Sequence, residues 1–265
     1  DTGDRIMNFA TWRSERPRRW FVALGLILLA AMASAAWAMS VSPVVIDLEP
    51  AGRRSSQIVT VENRYARPIV LEMRVQEAEY TDEGVHGTGV ASDDLLAFPP
   101  QVIIPPNGTQ AVRVQYVGEP DVTRGKHYFM TVAQLPVELP EGQTAVQLLY
   151  NFQVVVGVNP SRVRPQIAVQ SANIFTETGD GSARLQLVLT NDSAAYGYLS
   201  GGSLRVIQRN AAGAEVYNHL FPPEEIAQVI GYGLVGAGQT RRLLTPIILP
   251  EAGGSVEARF TPTSR

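Results

Sequence analysis

From Val146 onward, every second residue of the run Thr144 to Val158 (TAVQLLYNFQVVVGV) is apolar: Val146, Leu148, Tyr150, Phe152, Val154 and Val156. The residues between them (Gln147, Leu149, Asn151, Gln153 and Val155) are mixed. A period of two places one apolar row on a single face of a β-strand. About eleven residues at ~3.3 Å each span roughly 36 Å, which is long for a strand in a small domain. Pro160 and Pro165 follow at once and set a hinge just beyond it. Such a row either completes the core of a β-sandwich or is held out for another protein's groove. Pattern alone favours core.

The residues before this run read as short strands with regular turn signals. Ser40 to Leu48, Gln57 to Glu62, Ile69 to Val75, Gln110 to Val117 and Tyr128 to Leu135 alternate or carry apolar runs. Glu77 to Asp94 is acidic and glycine-rich, without an apolar period, and reads as a loop or weak edge. Pro99, Pro100, Pro105 and Pro106 confine the strand between them to an edge or to short pieces. About seven short strands at this spacing are the signature of an immunoglobulin-like sandwich. After the hinge the pattern repeats more weakly, over 166–169, 183–190, 199–208, 215–218, 227–234, 240–248 and 255–260, with no helix-length period. The expectation is all-β, with a sandwich domain over 39–160 and a smaller one over 161–265.

Residues 1–38 read differently. From Met7 onward, Arg13, Arg16, Arg18 and Arg19 form a basic region, Phe21 to Ala33 an apolar one, and Ala36-Trp37-Ala38 a small–x–small cleavage site. This is the pattern of a cleaved secretory signal, too short for a membrane span of ~20 residues. The chain has no cysteine and a formal net charge of −3. An exported protein without disulfides holds itself together by core burial, and thiolate chemistry is excluded. Nucleic-acid binding would want a concentrated basic face, which is absent.

The sequence offers no catalytic constellation and no cofactor motif. His86, His127 and His219 lie far apart and read as solvated or hydrogen-bonded residues, not metal ligands. Gly231 to Gly236 matches GxGxxG, but the run after it is β-like and not a helix, so the match reads as glycine spacing in a turn. Asp93 and Asp94 are adjacent in a strand-like run, where neighbours point apart, and read as solvated charges.

Three pieces together resemble the PapD-like periplasmic chaperones of chaperone–usher pilus assembly. Phe98 to Gln115 is similar to the family's Pro pair, apolar strand, Pro/Gly turn and strand with a central Arg, here Arg113. Thr123 to Pro136 looks like its Arg, short gap, aromatic strand and closing Leu-Pro. The run ending in Pro160 looks like its donor strand and hinge. The resemblance implies two immunoglobulin-like domains in an L-shaped arrangement, a periplasmic location, no enzyme activity, and pilin-like subunits and an outer-membrane usher as partners. It casts Val146, Leu148, Tyr150 and Phe152 as side chains donated to a subunit's open groove by β-strand addition. Burying four of them would contribute a gross ~6–12 kcal/mol before ordering costs. An apolar row left exposed invites association, so a self-dimer or the Pro136 to Gln143 loop is expected to cover it. For Arg113 the resemblance implies a structural role.

One departure is clear. The family anchors the subunit's C-terminal carboxylate with an Arg in the first strand and a Lys late in the donor strand, and the matching positions here hold Val45 and Val155. Arg124 and Lys126 are the nearest candidate replacements, against the plainer reading that both are solvated charges. The competing function is a PapD-like structural or adhesive envelope component that donates no strand.

Overall fold

The computed structural model describes residues 39–136, 148–176 and 181–263. The expected signal segment, Val146 and nearly all of the Pro136 to Gln143 loop lie outside the described residues. Met39–Arg265 forms one compact unit.

The first part of this unit contributes β1 (Met39–Ser42), β2 (Val45–Leu48), β3 (Ser56–Asn63), β4 (Ile69–Thr81), β5 (Gly84–Ala91), β6 (Leu95–Phe98), β7 (Gln101–Ile104), β8 (Thr109–Tyr116), β9 (Lys126–Gln134) and β10 (Asn151–Val158). One sheet has the order β1-β3-β8-β6; the other runs β2-β10-β9-β4-β5, with β7 also on β4. Alternation decides which face each sheet buries. Val59, Val61, Val112 and Val114 point inward from one sheet, and Leu71, Met130, Val132, Val154 and Val156 from the other. Burying each such side chain is worth ~1.5–3 kcal/mol, and this core holds the sandwich without disulfides.

Two sequence expectations change here. The opening strand divides at Pro43, which has no N–H to donate: β1 pairs with β3 in one sheet and β2 with β10 in the other. Of the two readings of Glu77 to Asp94, the edge holds and the loop does not: β4 runs on to Thr81, and β5 returns from Gly84 as the edge strand of the sheet. Gly84 has φ 136, a turn conformation that favours glycine. β5 carries mostly exposed side chains and the part of β4 facing it mostly half-buried ones, so the ladder leaves no apolar period to read.

The second part contributes β11 (Ile167–Thr176), β12 (Ala183–Asn191), β13 (Gly197–Tyr198), β14 (Gly202–Arg209), β15 (Glu215–Phe221), α1 (Pro223–Val229), β16 (Leu234–Val235), β17 (Thr240–Ile248) and β18 (Ser255–Pro262). Sheets β11-β12-β17 and β15-β14-β18 enclose Leu185, Leu187, Leu189, Leu204, Val206 and Phe221. The strand expected over 227–234 is instead the end of α1 and a turn. Pro223 sits in the first turn, Glu224 and Glu225 favour the positive end of the helix, and Ile226 is fully buried. Among the described residues no strand pairs across 159–166, and no helix is long and apolar enough to cross a membrane.

Each half closes a strand end with a buried asparagine. Asn63 Nδ2 donates to the carbonyls of Arg67, Ile104 and Pro105 at 2.9, 3.0 and 2.9 Å. Asn191 Nδ2 donates to those of Ala195, Val235 and Gly236 at 2.7, 3.3 and 3.1 Å. Each amide ties together carbonyls from separate segments at a strand end.

Candidate functional site

Strand β10 has two unlike ends. It pairs with β9 along its whole length, from Asn151↔Ala133 to Val158↔Lys126, but only Val155 to Val158 pair with β2. The Val155 N–H donates to the Val44 carbonyl at 2.9 Å, where that second ladder begins. From Asn151 to Val154 the far edge of β10 therefore meets no strand among the described residues.

The side chains follow the same division. Val154, Val156 and Val158 are fully buried, and Phe152 is half-buried against the core. Tyr150 is 45% exposed and Leu148 68%. The six-residue row read from the sequence is thus core at one end and open surface at the other. Leu148 and Tyr150 precede β10, although the Gln134 N–H still donates to the Tyr150 carbonyl at 3.0 Å and holds that residue alongside β9. Periodicity alone could not locate this change, because a strand's alternation is the same whether or not a second sheet covers it.

At the buried end, β10 faces the second half of the chain. Val45 pairs with Val155 and Asp47 with Gly157, while Phe129 and His127 are their partners on β9. Residues two apart share a face, so these rows lie on the outer face of the sheet. A Cβ added to Gly157 would sit 2.1 Å from the Tyr196 hydroxyl oxygen. Only a residue with no side chain lets Tyr196 approach this closely. Tyr196 and Tyr198 both donate to Asp47 Oδ1 at 2.6 Å. Rings then run in succession from Tyr80 through His127, Tyr196 and Tyr198 to Tyr232, with centroids 6.3, 4.6, 5.8 and 5.9 Å apart. Burial raises the hydroxyl pKa of Tyr196 and Tyr198, and the neighbouring Asp47 carboxylate adds to the shift, so both stay protonated donors.

His127 corrects the sequence reading. It is 6% exposed, and its Nε2 has no hydrogen-bond partner among the described residues. Burial alone lowers its pKa to about 4. His86 is exposed, and His219 Nε2 lies 2.9 Å from Glu225 Oε1. Gly231 to Gly236 is a turn and a short strand, with the helix before it and not after.

Arg124 and Lys126 are both engaged. Arg124 directs Nε (3.0 Å) and Nη2 to the Ala237 carbonyl. Lys126 pairs with Asp94 at 3.1 Å, and the Tyr128 hydroxyl donates to the same carboxylate. Asp94 is therefore not the simple solvated charge the sequence suggests; the Tyr128 hydrogen bond, with Lys126 behind it, holds its pKa below the usual range. Lys126 lies opposite Val158, three positions along from the Val155–Phe129 pair, so it belongs to the other face from Val155. A cavity of about 320 Å³ beside these residues also counts Glu77 among its lining, which matches its two cations with two acids. Arg124 and Lys126 therefore each have a partner of their own.

Arg113 also differs from expectation. It is exposed, between Ile58 on β3 and Phe98 on β6, its cross-strand partners. Phe98 is 69% exposed and Ile58 44%. Arg113 therefore lies outside the core, on the outer face of its sheet.

These features define a β-sandwich protein that keeps a partly unpaired strand edge. Residues 39–164 match the family model described as "Pili and flagellar-assembly chaperone, PapD N-terminal domain". Solved structures similar to the chain include the CsuC–CsuE chaperone–tip adhesion subunit pre-assembly complex of Acinetobacter baumannii, at 11% identity, with 83% of this chain and 96% of that chain covered and a TM-score of 0.46. The Salmonella enterica SafA pilin in complex with the SafB chaperone is similar at 15% identity, 87% and 99% coverage and a TM-score of 0.48. The E. coli chaperone DraB gives 15%, 86% and 98%, and 0.46. A search of curated proteins found no match.

Proposed function

We propose that the protein is a periplasmic, non-catalytic chaperone that lends the strand edge around Leu148 to Val154 to pilin-like subunits and delivers them to an outer-membrane usher. In this reading the sandwiches over 39–160 and 161–265 act as two domains, and residues 1–38 serve export. The observation that carries the proposal is the asymmetry of β10: one end is locked into the core, and the other offers unpaired backbone together with the exposed side chains of Leu148 and Tyr150. β-Strand addition needs both, the backbone for affinity and the alternating side chains for pockets. The PapD-type domain over 39–164 supports the same assignment.

The test is capture of bound proteins from the periplasm by the tagged protein, wild type beside Leu148→Asp. The expected result is a small β-rich exported subunit held by wild type and lost from the variant. If both forms fold and neither holds such a subunit, the chain is an envelope component that donates no strand.

A further inference from the structure

The outer face where Val45 and Val155 pair carries a chemistry of its own. Asp47 is exposed, and its Oδ1 is fixed by the hydroxyls of Tyr196 and Tyr198. Both donors are neutral, and no Arg or Lys among the described residues forms an ion pair with it, so its negative charge is uncompensated. Val45 and Val155, each half-buried, lie beside it on the same face. The Tyr198 ring, whose hydroxyl reaches Asp47, stands 5.9 Å from that of Tyr232. Tyr232 is 49% exposed although it is apolar over most of its surface, and the backbone holds it there. Gly231 and Gly233 flank it at φ 90 and 63, and Leu199 and Ser200 N–H groups bond the carbonyls of Gly233 and Tyr232 at 2.9 and 3.1 Å. A Cβ at Gly233 would meet Leu199 Cβ at 2.7 Å.

We propose that these residues form a cleft that binds a lysine or arginine side chain of the exported subunit, with Asp47 as counter-charge, the Tyr198 and Tyr232 rings as wall, and Val45 and Val155 against the aliphatic stem. Each part suits a cation. Aromatic faces attract ammonium and guanidinium groups, long basic side chains lay their methylenes on apolar surface, and complementary charge fixes register. A free carboxylate would meet the like charge of Asp47. The inference rests on the strand-donating function proposed above and gives it a polarity opposite to a carboxylate anchor.

Two synthetic peptides with the same alternating Val/Thr body test it against the chain from Met39 on, which is a compact unit by itself. One is amidated and carries lysine next to its C-terminal residue; the other has glutamine there and a free carboxylate. Wild type is expected to bind the lysine peptide about tenfold more tightly, a preference that Asp47→Asn abolishes and Tyr232→Ala reduces. If Asp47→Asn does not fold, Tyr232→Ala, an exposed position, decides. Preference for the carboxylate peptide, an unchanged preference in the variants, or binding of neither peptide overturns the cleft site. Loss of subunit capture by Leu148→Asp alongside any of those results leaves strand donation standing and removes only the cleft.

Discussion

Val45 and Val155 face each other in the parallel β2–β10 pair, with Asp47 and Gly157 the next partners on the same face. Two valines therefore pair where the resemblance to the pilus chaperones implies two cations, and the charge next along that face is negative. Both are half-buried rather than core. The double variant Val45→Arg, Val155→Lys is expected to fold, with a melting temperature lower by about 2–4 °C, the shift that ~1 kcal/mol gives a chain of this size. Its charges can reach water and Asp47. Thermal unfolding measures this, and a collapse of the transition would show that the valines carry core packing.

The division of β10 predicts opposite costs for the same substitution. Leu148→Asp, at a position 68% exposed, should change stability by no more than ~0.5 kcal/mol. Val154→Asp, at a fully buried position, places a carboxylate in an apolar core and should cost more than ~4 kcal/mol. Urea unfolding of the two variants separates them. Similar losses in both would mean that Leu148 is packed.

Gly157→Ala should cost about 1–3 kcal/mol, because the new methyl meets Tyr196 along its ring edge as well as at its hydroxyl. Tyr196 must then move, breaking its hydrogen bond to Asp47. Denaturant unfolding gives the loss, and near-ultraviolet circular dichroism should report the displaced tyrosine. Gly157→Ala with wild-type stability and spectrum would contradict the close approach.

His127 sets a pH dependence. Its pKa falls from 6.5 to about 4 on folding, so between those values the unfolded chain binds more protons and stability falls with acidity. The window opens below pH 6.5 and closes near 4, with an upper limit of ~3 kcal/mol. Well above the unfolded value this group contributes no pH dependence. The difference in unfolding free energy between about pH 7 and about pH 4.5, which brackets most of that window, should be markedly smaller in His127→Phe than in wild type. Equal pH slopes for the two proteins would refute it.

Much of the fold was legible in the chain itself. The period-two runs around Val59 on β3, Val112 on β8, and Met130 and Val132 on β9 mark inward faces because β side chains must alternate, whatever the tertiary context. Proline and glycine likewise mark ends, as at Pro99 to Pro106 around β7. The segments left open or read otherwise share one cause: their structure is set by groups that leave no apolar period. The 84–91 strand is built from backbone bonds to β4, and α1 from Pro223 and its two following acids.

Local pattern was enough for an all-β chain, an apolar row before a proline hinge, and valines at 45 and 155. What these are for depended on packing between segments far apart in the chain. Where β2 stops pairing with β10 separates core from open edge, and that depends on where Pro43 turns the chain between sheets. Asp47, His127, Tyr196, Tyr198 and Tyr232 lie up to 185 positions apart in the chain, and no local period connects them. They meet because Gly157 has no side chain to keep Tyr196 away.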